Sequence, residues 1–307
     1  MRIASALSRI ESLAERVRRP AEGDPLIQPY PGYATPDSLI ARGRVLGRAV
    51  DETRVISSFR TRELAGVRVQ GGGAEVLTDD EGHFTLVLPR GPEQGWVGIT
   101  VSAEGGPHTV LPVLVPRSDA RIGVITDIDD TLMLTGAWSL PRNLWTTLRG
   151  RPETRHVFPD AVAMIARLRE DGRNPVYYVS SAPWNLAPFL EDVFRRNSLP
   201  RGPFFLRDWG ITGTHIIAPP HVDHKVQSIG RILGANPGLP FVLLGDTGQD
   251  DASIYLAAAR AWPGRICRAI FRLAGPRPPP AVSGFAELGI PVQVVADFRA
   301  LAAAQDD

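Results

Sequence analysis

An apolar run that ends in a cluster of acids constrains this chain more than any other feature. Residues 121–126 are typical of a buried strand, and Asp127, Asp129 and Asp130 follow it directly. Like charges this close repel and desolvate one another, so they persist where a cation or a reaction requires them. Asp127 and Asp129 lie two residues apart, so in an extended chain both point to the same side. The alternative is an acidic turn after a strand, because aspartate is common in turns.

A second apolar run also ends in acids. Residues 241–245 are followed by Asp246, and Asp250 and Asp251 precede a helical pattern that begins at Ala252. Carboxylate oxygens, completed by substrate phosphate and water, are the ligands that Mg2+ prefers. The helix dipole also favours acids at a helix N-terminus, which explains Asp250 or Asp251 without a metal. That explanation does not apply to Asp246, which directly follows the strand.

A third apolar run and a single lysine supply groups that suit a phosphate. Residues 175–179 lead into Ser180 and Ser181 ahead of a helix, where a hydroxyl and free backbone N–H groups suit a phosphate oxygen. Either serine taken singly could instead cap that helix. Lys225 is the only lysine among 34 lysines and arginines, and its compact ammonium acts as a point charge beside a transferring phosphoryl group. The alternative is a leftover surface lysine.

These four features occur in the order that is typical of the haloacid dehalogenase superfamily of phosphoryl-transfer enzymes, which the chain resembles from residue 121 to its C-terminus. The motifs are most similar to the catalytic domain of the actin-patch-type phosphatidate phosphatases. Those are Mg2+-dependent lipid phosphatases of fungi, with many bacterial relatives of unclear substrate. The motifs that carry the resemblance are residues 126–131 (TDIDDT), 178–184 (YVSSAPW), 224–225 (HK) and 245–251 (GDTGQDD).

The resemblance implies a role for each of these groups. Asp127 is the nucleophile that forms an aspartyl-phosphate, Asp129 is the general acid and base, and Lys225 is the third catalytic residue. The residues implied to bind the phosphoryl group are Thr131, Ser180, Ser181 and Lys225. The residues implied to hold Mg2+ are Asp127, Asp129 through its main-chain carbonyl, Asp246, Asp250 and Asp251, with the choice between the last two left open.

Strand and helix patterns divide the chain into three parts. From residue 121 onward strands alternate with helices, which predicts an α/β fold with a doubly wound parallel sheet. The resemblance implies that this sheet is Rossmannoid and haloacid-dehalogenase-like. Ligands bind beyond the carboxyl ends of such strands, so Asp127, Ser180 and Asp246 are expected to converge.

Upstream, short alternating strands with a hairpin turn at residues 78–84 predict a small all-β sandwich, similar to transthyretin-like or immunoglobulin-like domains. Residues 20–41 are rich in proline, glycine and polar residues, which indicates a linker or an extended covering segment. The predicted domains are 1–40 (N-terminal helix and linker), 41–117 (β-sandwich) and 118–307 (catalytic domain).

Composition restricts the partners and the location of the protein. A net charge of +1 gives no global attraction to nucleic acid, so none is expected as a partner. Cys267 is the only cysteine, which excludes an internal disulfide framework, and it is expected in the core.

No stretch approaches the length of a membrane span and the N-terminus lacks an apolar signal core, which predicts a cytoplasmic protein. Peripheral membrane contact stays open, through a basic amphipathic helix at residues 1–19 or a flap with Trp and Arg at residues 132–151. Both segments could instead pack on the body of the protein.

Together these features predict Mg2+-dependent hydrolysis of phosphatidate to diacylglycerol and phosphate. The alternatives are a phosphatase of a soluble phosphomonoester, the majority activity of the resembled superfamily, and a catalytically silent interaction protein. A Walker-type NTPase is excluded because no Gly-rich loop precedes Lys225. The G-x-S-x-G motif of serine lipases is also absent from the sequence.

Overall fold

The computed structural model describes residues 25–47, 63–134, 156–207, 211–212, 215–216, 221–248, 250–274 and 280–303. The chain divides into two compact units. One comprises Met1–Tyr33, Ser38–Arg90 and Val97–Val113, and the other comprises Ala34–Asp37, Gly91–Trp96 and Leu114–Asp307. The predicted domain boundary at residue 117 stays a prediction.

Seven strands in the N-terminal part of the chain form one sheet. Its strands are β1 (Pro25–Ala34), β2 (Ser38–Gly47), β3 (Arg68–Gly71), β4 (Ala74–Leu77), β5 (His83–Pro89), β6 (Gly95–Ala103) and β7 (His108–Val115). The order in the sheet is β4-β3-β6-β7-β1-β2-β5. In β5 the buried residues Phe84, Leu86 and Leu88 alternate with exposed ones, as expected of a strand that has one face on a core.

The strands β1 and β2 correct the prediction of a linker up to residue 40. Its proline and glycine content indicated an extended covering segment, yet β1 lies inside the sheet between β7 and β2. Pro29 and Pro31 are two residues apart, so both missing N–H groups face the same neighbouring strand and the other edge of β1 keeps its donors. A Cβ at Gly32 would lie 2.1 Å from the carbonyl oxygen of Ile40, so glycine permits the close approach of β1 and β2.

Strand pairing in this unit also differs from the predicted hairpin. The turn between β4 and β5 is present, and Asp79 Oδ1 accepts hydrogen bonds there from the N–H groups of Glu81 (3.0 Å) and His83 (2.8 Å). However, β4 pairs with β3 and β5 pairs with β2, so the two strands do not form a hairpin. All seven strands belong to one sheet, and the assignment of this unit as a β-sandwich stays a prediction.

The C-terminal unit contains a six-stranded sheet in which every pairing is parallel. Its strands are β8 (Gly123–Asp127), β9 (Val176–Pro183), β10 (Phe204–Arg207), β13 (Phe241–Asp246), β14 (Ile266–Arg272) and β15 (Val292–Val295), and a separate antiparallel pair is formed by β11 (Ile211–Thr212) and β12 (His215–Ile216). The sheet order is β10-β9-β8-β13-β14-β15. The chain thus builds outward from β8 to β10 and then returns to the other side of β8. The topological switch point lies between β8 and β13, and the predicted α/β class is confirmed.

Both faces of the parallel sheet are covered. Every residue of β8 and β13 is buried, as expected of central strands between two layers of helices. The helices are α1 (Pro159–Arg169), α2 (Ala187–Arg196), α3 (His221–Ala235), α4 (Asp251–Ala261), α5 (Gly284–Glu287) and α6 (Arg299–Ala303). Helix α1 packs on α6, whereas α3 packs on β9 and on α4. The helices of this unit therefore form two groups.

Three remaining predictions concern the terminal helix and flap, membrane-spanning helices, and Cys267. The amphipathic helix at residues 1–19 and most of the flap at residues 132–151 lie outside the described residues. Within the described ranges, no helix combines the length and the apolar character that a bilayer crossing requires. The expected core position of Cys267 is wrong, because Cys267 is exposed near the amino end of β14 beside the exposed Arg268.

Candidate active site

Asp127 is the last residue of β8, and a tight turn follows it. The carbonyl of Ile128 accepts hydrogen bonds from the N–H groups of Leu132 (3.0 Å) and Met133 (3.3 Å), and Asp130 N–H donates to the carbonyl of Met133 (2.8 Å). Asp130 has a φ of 57°, a left-handed conformation that costs energy for a residue with a side chain. The backbone therefore turns back at once, and the acids after β8 stay at the carboxyl end of the sheet.

Asp246 ends β13, and the first turn of α4 places Asp251 beside it. Asp246 N–H donates to Asp251 Oδ2 (3.3 Å), and Gly248 N–H donates to Asp246 Oδ1 (2.6 Å). A Cβ at Gly245 would lie 2.8 Å from Asp251 Oδ2 and 2.9 Å from the ring of Tyr255. Glycine at this position therefore allows α4 to approach the end of the strand.

Lys225, in helix α3, links the acids of the two strand ends. Its Nζ donates to Oδ1 of Asp127 and to Oδ1 of Asp251, each at 2.7 Å. The Lys225 side chain is 5% exposed, and the two carboxylates are 1% and 0% exposed. Charge-assisted hydrogen bonds of this length are strong, and the loss of one partner would leave a buried charge uncompensated. The alternative of a leftover surface lysine is therefore wrong.

Three buried carboxylates could hold one cation. A ligand oxygen from each of Asp127, Asp246 and Asp251 lies within 4.8 Å of the others. Three carboxylates and one ammonium, that of Lys225, leave two negative charges, which one divalent cation balances. Oδ2 of Asp127 is buried and has no hydrogen-bond partner among the described residues, as expected of an oxygen that is kept for a ligand. The donor set therefore fits a divalent cation that prefers oxygen.

Asp129 forms a separate contact with β9. Ser180 Oγ donates to Asp129 Oδ2 at 2.9 Å, and Ala182 N–H donates to Ser180 Oγ at 3.0 Å. Oδ1 of Asp129 is buried without a hydrogen-bond partner among the described residues. Because the hydroxyl proton of Ser180 is directed at Asp129, Ser180 orients this acid. The predicted contact of Ser180 with phosphate stays a prediction.

Burial and charge shift the pKa values of these groups. Burial raises the pKa of Asp127 well above its ordinary value, and the charge of Asp251 raises it further, against the opposing effect of Lys225. Burial also raises the pKa of Asp129 to about 6, partly offset by the hydrogen bond from Ser180. Burial acts to lower the pKa of Lys225, but the charges of Asp127 and Asp251 outweigh it and raise this pKa. Lys225 is therefore protonated at neutral pH, and Asp129 titrates in a range that suits proton transfer.

The structure distinguishes between neighbouring residues that the sequence analysis left equivalent. Asp251 is fully buried in the cluster, whereas Asp250 is exposed at the N-terminus of α4 and lies outside the cluster. Asp250 is thus corrected from a candidate ligand to an acid favoured by the helix dipole. Ser181 is half-buried, and as the neighbour of Ser180 in β9 it points to the opposite face of the strand. Thr131 is fully buried, and its Oγ1 has no hydrogen-bond partner among the described residues.

Two charged residues beside the site were not identified from the sequence. Arg272 ends β14, and its Nε donates to the carbonyl of Thr131 at 3.1 Å while its Nη2 donates to Asp160 Oδ2 at 2.7 Å. A signal for Arg272 was present, because it ends an apolar strand in the same way as Asp127 and Asp246. Asp160 lies in the first turn of α1 and carried no such signal.

We expect the metal-free protein to lose stability as the pH rises through the pKa of Asp129. This pKa is raised from 3.8 to about 6, so between these values the native state binds more protons than the unfolded chain. The stabilisation is fully present below the unfolded value and is lost as the pH rises through the folded value, with a slope of up to about 1.4 kcal/mol per pH unit. Urea unfolding in EDTA, with Asp129→Asn as the reference, measures this contribution. A stability difference between wild type and Asp129→Asn that stays flat or grows with pH would contradict the burial of this carboxyl group.

Comparison with known proteins places this site within a matched catalytic domain. Residues 122–272, just short of half of the chain, match the family model described as "Phosphatidate phosphatase APP1, catalytic domain". The matched segment contains the whole carboxylate cluster, Lys225 and Ser180, and it ends at Arg272.

Two curated relatives share the same region. The chain is 28% identical to phosphatidate phosphatase APP1 of Saccharomyces cerevisiae over 145 residues. This matched region covers 47% of this chain and 24% of the yeast protein. It is also 31% identical to an uncharacterized protein of Schizosaccharomyces pombe over 155 residues, a region that covers 50% of this chain and 25% of that protein. The chain therefore spans about a quarter of the length of these relatives. A solved structure, a putative beta-phosphoglucomutase from Thermotoga maritima, aligns with 60% of this chain and 100% of that chain at 15% identity and a TM-score of 0.36, a likeness too distant to support an argument.

The matched residues 122–272 are thus similar to the catalytic domain of a phosphoric monoester hydrolase. More narrowly, residues 122–272 resemble the catalytic domain of the APP1-type phosphatidate phosphatases, as the motifs predict.

Proposed function

We propose that this chain is a Mg2+-dependent phosphatidate phosphatase that acts through an aspartyl-phosphate. The observation that carries the proposal is the buried contact of Lys225 with Asp127 and Asp251, beside a second acid, Asp129, that is held by Ser180. Asp127 is paired with the ammonium of Lys225, whereas Asp129 accepts a hydrogen bond from the neutral hydroxyl of Ser180. Two carboxylates in such different environments suit a nucleophile and a proton carrier.

Asp127 is the proposed nucleophile. Lys225 holds its Oδ1 at 2.7 Å, which fixes the carboxylate at the end of β8. In the first step a bond forms between an Asp127 oxygen and phosphorus, as the bond from phosphorus to the diacylglycerol oxygen breaks. In the second step water attacks the same phosphorus, the bond to Asp127 breaks, and inorganic phosphate leaves. The aspartate is regenerated after each cycle.

Asp129 is the proposed proton carrier. Its Oδ2 is oriented by Ser180, and its Oδ1 has no hydrogen-bond partner among the described residues. Protonated Asp129 gives its proton to the leaving diacylglycerol oxygen in the first step. The resulting carboxylate takes a proton from the attacking water in the second step, so the acid is restored.

The buried cluster supports a divalent cation as the cofactor. Asp127 and Asp246, together with the main-chain carbonyl of Asp129, are the residues proposed to hold Mg2+, while Asp251 orients Lys225. When bound, Mg2+ neutralises the negative charge that an anionic nucleophile and an anionic phosphate bring together. The ammonium of Lys225 and the hydroxyl of Thr131 are proposed to bind the phosphoryl oxygens.

The lipid substrate is proposed from the matched catalytic domain. Phosphatidate is presented by a bilayer, so peripheral membrane contact belongs to the same proposal. A phosphate-release panel tests it: purified protein receives phosphatidate in mixed micelles or soluble phosphomonoesters, each with Mg2+ and with EDTA. We expect Mg2+-dependent release, with a higher kcat/KM for phosphatidate than for any soluble compound.

Each other outcome of the panel selects a different function. A preference for soluble phosphomonoesters would replace the lipid substrate but retain the phosphatase. Release in EDTA that equals release with Mg2+ would remove the cation from the proposal. No release from any compound would favour the catalytically silent interaction protein.

A further inference from the structure

Arg272 is a buried charge that the proposed chemistry does not use. It ends β14 and pairs in register with Asp246 at the end of β13, so it lies at the same edge of the sheet as the carboxylate cluster. The residue is 7% exposed. Burial of an arginine is costly unless its charge is paired and its donors are satisfied, so the contacts that hold it have to be strong.

The guanidinium of Arg272 makes four contacts. Nε donates to the carbonyl of Thr131 at 3.1 Å and Nη2 donates to Asp160 Oδ2 at 2.7 Å. Its central carbon lies 4.2 Å from the ring centroid of Phe158 and 4.4 Å from that of Phe298. A guanidinium this close to two aromatic rings gains cation–π attraction from each of them, and its N–H groups still donate to Thr131 and Asp160.

The partners of Arg272 are themselves tied to the turn after β8. Asp160 Oδ2 also accepts from Phe298 N–H at 2.7 Å, which fixes the carboxylate that pairs with the arginine. Phe158 N–H donates to the carbonyl of Leu132 at 2.9 Å, one residue beyond the contact of Arg272 with Thr131. Arg272 thus connects the turn with the start of α1 and with the residue that precedes α6.

We propose that Arg272 is a positioning residue that holds the turn carrying Asp129 and Thr131. It fixes the backbone carbonyl of Thr131, and the side-chain hydroxyl of the same residue is buried and has no hydrogen-bond partner among the described residues. With the backbone held, that hydroxyl is kept in one direction for a phosphoryl oxygen. The inference rests on the proposed function, because it assigns the hydroxyl to the transferred phosphoryl group.

Arg272→Lys tests this role with the charge retained. Lysine has one nitrogen and no planar fork, so it cannot donate to Thr131 and Asp160 in the same geometry or present a planar cation to the two phenylalanines. We expect kcat for phosphate release to fall by about 10–100-fold, as for other residues that orient a catalytic group, with a smaller change in KM. Arg268→Lys is the matched control, because Arg268 lies on the same strand and is exposed; its kcat should equal that of wild type.

A double-mutant cycle separates positioning from a general loss of stability. Thr131→Val removes the hydroxyl at nearly constant volume. If Arg272 acts through that hydroxyl, Arg272→Lys should cost little further kcat in the Thr131→Val background. Additive effects of the two substitutions, or a kcat in Arg272→Lys equal to that of wild type, would overturn the inference while leaving the proposed function intact.

Hydrogen exchange provides a readout that does not depend on activity. In Arg272→Lys, the amides of residues 130–134 should exchange about tenfold faster or more, because one charge-assisted bond to the turn is lost. Unchanged exchange in these residues would overturn the inference even in a protein that releases no phosphate. A wild-type protein that releases no phosphate would count against the proposed function, whatever the exchange result.

Discussion

Asp127→Asn is expected to abolish phosphate release and to leave the protein folded. The amide cannot form the aspartyl-phosphate, and loss of a nucleophile costs on the order of 10^4-fold or more in kcat. The metal-free fold should persist, because Lys225 keeps its 2.7 Å contact with Asp251 and no charge is left unpaired. The raised pKa of Asp127 also means that burial disfavours its charged form, which the neutral amide replaces.

The measurement combines phosphate release with thermal unfolding in EDTA. Asp250→Asn is the matched control, since it removes one acid from the same sheet edge but from an exposed position outside the cluster. This control should retain wild-type kcat. Measurable turnover by Asp127→Asn would refute the nucleophile, and a collapse of activity in Asp250→Asn would refute the choice of Asp251 over Asp250.

Lys225→Met is expected to have the largest combined effect on stability and activity. The substitution leaves Asp127 and Asp251 buried beside each other without their shared cation. Removing one partner of a buried ion pair typically lowers the free energy of unfolding by about 3–5 kcal/mol. The pKa of Lys225 is raised, so its stabilisation is fully present below the unfolded value near 10.5 and is lost only at higher pH. The full loss is therefore expected at neutral pH.

Two further variants test the cause of that loss. Lys225→Met with Asp251→Asn removes one of the two facing charges and should recover part of the unfolding free energy, but no turnover. Lys225→Arg keeps the charge on a larger planar group and should be more stable than Lys225→Met, yet slow, because two 2.7 Å contacts suit a compact ammonium. Equal urea midpoints for Lys225→Met and wild type in EDTA would show that these buried contacts do not form.

Strand ends were the most predictable part of this molecule. Runs of apolar residues that stop at Asp127, Ser180 and Asp246 were identified from the sequence, and all three positions lie at one edge of the parallel sheet. The reason is general: parallel strands share a direction, so polar residues at their carboxyl ends meet without any knowledge of side-chain packing. Arg272 obeys the same rule and was missed because an arginine at a strand end carries no distinctive chemistry by itself.

The predictions made from local composition were wrong in two places where strands pair with distant parts of the chain. The prolines at positions 29 and 31 indicated a linker, but the chain there forms an interior strand. The turn at residues 78–82 is present, although the strands that flank it pair elsewhere. In both places the partner strand comes from another part of the chain, so a reading of neighbouring residues cannot find it.

The sequence alone determined which chemical groups are available and in what order they occur along the strands: three acids at the end of β8, serines in β9, one lysine, and acids at and after the end of β13. Only the tertiary structure decided that Asp251 rather than Asp250 joins the cluster, that Ser180 donates to Asp129, and that Arg272 holds Thr131. Asp250 precedes α4 and Asp251 is its first residue, so the way α4 packs on the sheet decides which of the two neighbouring acids is buried in the cluster. That packing depends on burial of the apolar face of α4 against residues distant in the chain, which no local pattern contains.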